Sequence, residues 1–162
     1  MTTRFVRAPL CGGLLMLTML TPATAPAAQV TFTCSPTKVK GTVSDLTNTS
    51  TVSGTFVHIA EAVVPFLQGG VSASCVIVRF SAETYSHNIA IVRAYLDKTT
   101  AALPNEVIYT GTDANFLVRA RSYEFVFPSV APGNHTVRMQ FRSGDGEIVT
   151  VSRYNTTVHF AP

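Results

Sequence analysis

The chain has 162 residues, of which 46% are hydrophobic and 13% charged, and its 12 Lys and Arg against 9 Asp and Glu give a formal net charge of +3. That length suits one domain with a sizeable core. A charge balance this close to neutral excludes the broad basic surface that general nucleic-acid binding requires.

The first segment is an address rather than a structure. Arg4 and Arg7 precede an apolar stretch from Leu10 to Leu20, and the small-residue run Pro22-Ala23-Thr24-Ala25-Pro26-Ala27-Ala28 follows. This order is that of a secretory signal peptide. Ala25 and Ala27 satisfy the small-x-small rule, which puts the cut after Ala27 or Ala28. The pair Ala23 and Ala25 would place Pro26 next to the cut, where its fixed φ and missing N–H fit a protease cleft poorly. The apolar stretch is far shorter than the roughly 20 residues a membrane helix needs, so a retained anchor is the weaker reading. The expected organisation is a leader over residues 1–27 and a single secreted or periplasmic domain over 28–162, with no transmembrane segment. Losing Arg4 and Arg7 takes 12 basic residues to 10 against 9 acidic ones, a net charge of +1. Cys11 leaves too. Cys34 and Cys75 remain, and two thiols in an oxidising compartment are expected to pair. A crosslink closing about 40 residues contributes roughly 4 kcal/mol in the chain-entropy model. No Cys-x-x-Cys motif is present, so the pair reads as a staple and not as a redox couple.

Beyond the leader the pattern is β throughout. Val30–Cys34 is a first short run, stopped by Ser35-Pro36. The Ser- and Thr-rich stretch Thr42–Ser53 reads as an extended connector or edge. Thr55–Ile59 and Ala62–Leu67 follow. Helical turns over 57–64 are the alternative there, but Pro65 and the β-branched content favour strand. Gln68-Gly69-Gly70 is a turn. Ser74–Phe80 is apolar on both faces for most of its length and is expected to be central. Ile89–Leu96 ends at Asp97-Lys98, Glu106–Tyr109 is short, and Leu117–Arg121 leads into Ser122–Phe127, which Pro128 is expected to end. Ala131-Pro132-Gly133-Asn134 is a turn by composition. Thr136–Arg142 alternates strictly, with Val137, Met139 and Phe141 inward and Arg138, Gln140 and Arg142 outward. Ser143-Gly144-Asp145-Gly146 is a hairpin turn, Glu147–Ser152 returns, and Thr156–Phe160 is the last strand. Short β-branched and aromatic runs separated by turn clusters predict an all-β domain, an antiparallel two-sheet sandwich of jelly-roll or immunoglobulin-like topology.

Three segments carry a resemblance: Cys75–Glu83 (CVIVRFSAE), Val92–Asp97 (VRAYLD) and Phe125–Ser143 (FVFPSVAPGNHTVRMQFRS). Together they are similar to blocks of small exported bacterial β-sandwich proteins of unassigned function. The Pro-Gly-x-His-Thr-Val segment also resembles the penultimate hairpins of bacterial sandwich modules in adhesins and phage-tail proteins. The resemblance implies a secreted bacterial β-sandwich and carries no activity and no site residues with it.

The residues point to little assembled chemistry. His58, His87, His135 and His159 form no chelating pair at i, i+2 on a strand or i, i+4 on a helix, and His58 and Glu61 would point to opposite faces of one strand. Asp145 and Glu147 lack the spacing of a calcium loop. The expectation is no metal and no cofactor. No Gly-x-Ser-x-Gly elbow occurs, and no catalytic residue is assigned. A loop-built hydrolase site stays open as an alternative, since a triad drawn from distant loops leaves no local signature. The sequons at Asn48, Asn134 and Asn155 are accounted for by a Ser/Thr-rich composition.

Arginine is the suggestive pattern. Arg79, Arg93, Arg138 and Arg142 all lie inside expected strands, and Tyr95 shares a side with Arg93. Brought onto one sheet face, these five residues would offer forked donors and a ring to an anionic polymer or acidic glycan. The competing reading is a solvated face whose arginines pair with carboxylates across strands. The sequence thus supports a secreted, non-catalytic binding or structural module, with carbohydrate or polyanion binding by one sheet face as the alternative. Its partner is left open between a glycan and another envelope protein. Mass spectrometry of the exported protein is expected to show a chain starting at Ala28 or Gln29 that is lighter by two hydrogen atoms than its reduced form.

Overall fold

The computed structural model describes residues 33–45, 47–86, 89–110 and 118–162. The expected leader, most of the expected first strand, His87 and Leu117 lie outside the described residues; Thr33 and Cys34, at the end of that expected strand, are not in a strand. Ten strands run in chain order: β1 (Lys38–Ser44), β2 (Thr49–Thr51), β3 (Val57–Gln68), β4 (Ser74–Ser86), β5 (Ala90–Leu96), β6 (Thr100–Ala101), β7 (Val107–Thr110), β8 (Arg119–Val130), β9 (Gly133–Ser143) and β10 (Val149–Phe160). They form two antiparallel sheets packed face to face. The first has the order β1-β10-β4-β8, with β2 continuing the edge of β10 beyond β1. The second has the order β3-β9-β5-β6, with β7 beside β6 on the same edge of β5.

The pairing decides the topology. Outer strands pair with outer strands and inner with inner: β1 with β10, β3 with β9, β4 with β8, and β5 with β6 and β7. A long antiparallel ribbon rolled up on itself gives this nesting, which is the jelly roll. The immunoglobulin-like alternative has a different strand order. β4 sits between β10 and β8, the central position expected of it. Only one of its faces is core, however. Val76, Val78, Phe80 and Ala82 are buried, while Ile77 is half-buried and Arg79 exposed.

Three long strands change phase part-way, and each change is a bulge. In β3 the buried residues run Ile59, then Ala62, Val64 and Phe66, with Glu61 at φ 61° between them. In β10 they run Val149 and Val151, then Tyr154, Thr156 and Val158, with Arg153 at φ 42°. In β8 the register slips beside Pro128. An odd number of extra residues, one in β8 and in β10 and three in β3 between His58 and Val63, shifts the period-two pattern and moves every later side chain to the other face. The sequence pattern therefore breaks β3 and β10 in two and ends β8 early, whereas the backbone runs through. Pro128 does not end β8: this is an edge strand, and a bulge there leaves no ladder bond for proline to forfeit. The short β6 carries no pattern of its own. Its hairpin is set by Asp97 and Lys98, both in the left-handed region at φ 51° and 68°, as type I′ turns require.

Cys34 and Cys75 form a disulfide. It ties the segment before β1 to the start of β4. Among the described residues no helix is long and apolar enough to cross a membrane.

Two tyrosines cross between the sheets. Tyr154 of β10 donates its hydroxyl to the Ala60 carbonyl in β3. Tyr109 of β7, 2% exposed, inserts its hydroxyl into the β4–β8 ladder, accepting from the Ala82 amide and donating to the Arg121 carbonyl. Burial pushes the Tyr109 hydroxyl up to about 12 from an ordinary 10.0, against smaller opposing pulls from the Ala82 amide and Arg121. Over that window the unfolded tyrosine gives up its proton before the native one does, so the native state holds more protons and stability falls as pH rises. Tyr109→Phe is expected to flatten this alkaline loss, measured by urea unfolding across the range. At neutral pH it is expected to cost about 1–3 kcal/mol, because it strips a partner from two buried backbone groups.

Candidate functional site

The outer face of the second sheet is built by register. On β5 and β9, Tyr95 lies opposite Arg138, Arg93 opposite Gln140, and Ile91 opposite Arg142. On the other side of β9, His58 lies opposite Gln140 and Val63 opposite Arg138. Directly opposed residues share a face. Val63, Arg138 and Tyr95 therefore make one row, His58, Gln140 and Arg93 the next, and Arg142 with Ile91 a third. Ile108 of β7 extends the third row at the edge.

Within this array Arg93 is held from three directions. Its guanidinium carbon stands 3.8 Å from the centre of the Phe56 ring and 4.4 Å from that of Tyr95. Its Nε donates to Gln140 Oε1 at 2.7 Å. Gln140 is only 9% exposed although its side chain belongs to the outer face, because its neighbours lie over it. Its amide nitrogen lies 3.4 Å from His58 Nδ1. Arg142 stands 5.2 Å from the Phe56 ring and pairs with Glu106 at 3.1 Å. Arg138 has no carboxylate partner among the described residues, and its Nε is buried with no acceptor. Arg93 likewise has no carboxylate partner there. Two guanidinium charges thus stand on one face without a carboxylate partner among the described residues, and that of Arg93 is fixed by its packing.

Four of the five residues that the sequence reading grouped come together here: Arg93, Tyr95, Arg138 and Arg142. Arg79 does not. It is in β4 of the other sheet, opposite Glu124 of β8, and both its Nε and a terminal nitrogen donate to one Glu124 oxygen at 2.9 and 2.5 Å. That pair is an exposed cross-strand ion pair of the ordinary kind, worth little to stability. Phe56, His58, Gln140 and Glu106 were missed. Gln140 shares the outward phase of Arg138 and Arg142, so strand alternation alone could have included it. Phe56, His58 and Glu106 needed the β3–β9 and β5–β7 registers, which no local pattern states.

Elsewhere the titratable groups serve the backbone. His135 Nδ1 lies 2.6 Å from Asp97 Oδ2, and Nε2 lies 2.8 Å from the Ala131 carbonyl. Asp97 Oδ1 accepts from the Thr136 amide at 2.8 Å. A histidine beside a carboxylate is the arrangement of a hydrolytic dyad, but the nitrogen that would have to serve a nucleophile faces a carbonyl. The group pins the β5–β6 turn to β9, beside a cleft of about 400 Å³ that includes Lys40, Phe66 and His135. Asp145 holds the β9–β10 turn. Desolvation pushes its carboxyl up, but hydrogen bonds from the Glu147 and Ile89 amides and the Ser143 hydroxyl outweigh that and lower it overall. Gly144 is required beside it, because a Cβ there would lie 2.8 Å from the Ile89 side chain. Among the described residues no three His, Cys, Asp or Glu side chains gather as a metal site would need.

No family model matches the chain, and no curated protein matches it. Among solved structures it is similar to part of a family GH115 4-O-methyl-alpha-glucuronidase, BtGH115A, with specificity for decorated arabinogalactans, at 13% identity and a TM-score of 0.45 over 85% of this chain. It is similar to part of dimeric latent PorU from Porphyromonas gingivalis at 9% identity and a TM-score of 0.45 over 78% of this chain. A family two carbohydrate esterase from Cellvibrio japonicus matches at 21% identity and a TM-score of 0.30 over 77%. The chain spans 19%, 13% and 36% of those three chains, and likenesses of this grade bear on neither ligand nor activity.

The stacking of Arg93 is measurable. Phe56→Ala is expected to cost about 0.5–1 kcal/mol, the usual worth of an exposed cation–π contact. It is also expected to remove the ring-current shift of the Arg93 Nε–H resonance in a proton–nitrogen NMR spectrum.

Proposed function

We propose that this protein is a secreted, non-catalytic binding module and that the outer face of its second sheet is the ligand surface for an acidic polysaccharide. One observation carries the reading. Arg93, held by two rings and by Gln140, and Arg138, whose Nε is buried, stand on that face with no carboxylate partner among the described residues. A solvated structural face would pair its arginines across strands, as Arg79 and Glu124 do on the other sheet. Guanidinium groups suit oxyanions because their planar forks match carboxylate and sulfate geometry. The leader expected over residues 1–27 and the Cys34–Cys75 disulfide support work in an oxidising compartment.

The mature chain carries a net charge of only about +1, so general attraction to polyanions is weak and binding depends on where the charges sit. The test is affinity electrophoresis of the mature protein in gels containing polygalacturonate, dextran sulfate or neutral dextran. Retardation is expected in the two acidic gels and not in dextran. Arg93→Gln combined with Arg138→Gln is expected to abolish it, while Arg79→Gln leaves it unchanged. Equal migration in all three gels would remove the reading.

A further inference from the structure

The rings on this face are already partly occupied. Phe56 and Tyr95 each turn one ring face to the Arg93 guanidinium, which leaves less flat surface for a sugar to stack on. A ligand here is read by its charges. The positions of those charges follow from the register. Arg138 on β9, Arg93 on β5 and Arg142 on β9 occupy successive rows, and diagonal neighbours across two strands stand about 7–8 Å apart. They form a zigzag that runs along β9. The zigzag is not uniform. Among the described residues Arg138 and Arg93 lack carboxylate partners, whereas Arg142 is tied to Glu106, just before β7.

We propose that a linear acidic polysaccharide lies along this zigzag with its oxyanions on Arg138 and Arg93, and that Glu106, by holding Arg142, ends the run and limits the length of chain the face reads. This rests on the ligand-surface reading above. Two cation positions a fixed step apart favour a ligand with repeated charges over a single anion, because the second contact forms at high effective concentration. Glu106 acts twice at the far end: it neutralises the third cation, and it repels the next anionic group of an approaching chain. Removing its charge turns a two-cation site into a three-cation site. Arg142 keeps its place in that variant, since it still packs near the Phe56 ring.

The test is calorimetric titration of the mature protein with galacturonate monomer, trimer and hexamer, and with a sulfated oligosaccharide series of matched lengths. The hexamer is expected to bind at least about tenfold more tightly than the monomer. Glu106→Gln is expected to tighten hexamer binding about fivefold, the scale of one exposed charge contact, and to leave the monomer's affinity per cation unchanged. Adding Arg142→Gln to Glu106→Gln is expected to cancel the gain. The series with the larger gain identifies whether carboxylate or sulfate is the oxyanion read. Monomer binding as tight as hexamer binding, or a Glu106→Gln variant indistinguishable from wild type on the hexamer, overturns the proposal while leaving the ligand surface in place. No binding in either series overturns the ligand surface itself.

Discussion

An aromatic row through the middle of the sandwich is the contact on which the rest depends. Phe80 of β4 is fully buried, with its ring centre 5.6 Å from that of Tyr109 and 6.3 Å from that of Tyr154. Each tyrosine starts on one sheet and spends its hydroxyl on the backbone of the other, Tyr154 on β3 and Tyr109 on β8. Apolar burial alone holds two sheets together but lets them slide. Two directional bonds at opposite ends of one packed row remove that freedom. They also provide partners for backbone groups at a bulge and in an opened ladder, places where a buried carbonyl or amide would otherwise stand alone.

With the sheets locked, the outer face of the second sheet becomes a rigid array. β9 lies between β3 and β5, so the side chains of one strand are aligned on both sides at once. Arg93 shows what this allows. A guanidinium carries several donors and costs much rotamer freedom to fix, and here two rings and one amide oxygen fix it within the chain itself. The opposite face of the molecule answers the same problem differently, with Arg79 and Glu124 satisfying each other in solvent.

The sequence disclosed the class of fold and most of the charged array, and its failures have a common cause. Val137, Met139 and Phe141 alternate without interruption, and β9 is legible over Thr136–Arg142, although its first residues, Gly133 and Asn134, and its last, Ser143, read as turns. At the bulges in β3 and β10 the alternation changes phase, so a single strand reads as two; in β8 the bulge beside Pro128 makes the strand read as ending at Phe127. The positive φ of Glu61 and Arg153 that accommodates the extra residues leaves no trace in residue type, since neither is glycine. Four of the five grouped site residues share a face because β5 and β9 are neighbours, which alternation within each strand cannot say. Arg79 was grouped with them on strand phase alone, and strand phase does not name the sheet. Pairing across distances of tens of residues, β3 with β9 above all, brought Phe56, His58 and Val63 to the site.

The way β8 ends as an edge has a consequence for how the protein behaves in a crowded compartment. An exposed strand is a template on which further copies can stack, and β8 is one of the longest strands in the molecule. Leu103 and Val126 exchange both backbone hydrogen bonds, which occupies the middle of that edge. Pro128, two residues on, offers no N–H to a newcomer, and the bulge beside it bends the strand away from a flat approach. A folded copy therefore presents, over this stretch, a broken rather than a continuous line of donors and acceptors, and growth of an ordered fibre from it meets an interruption within a few residues of starting.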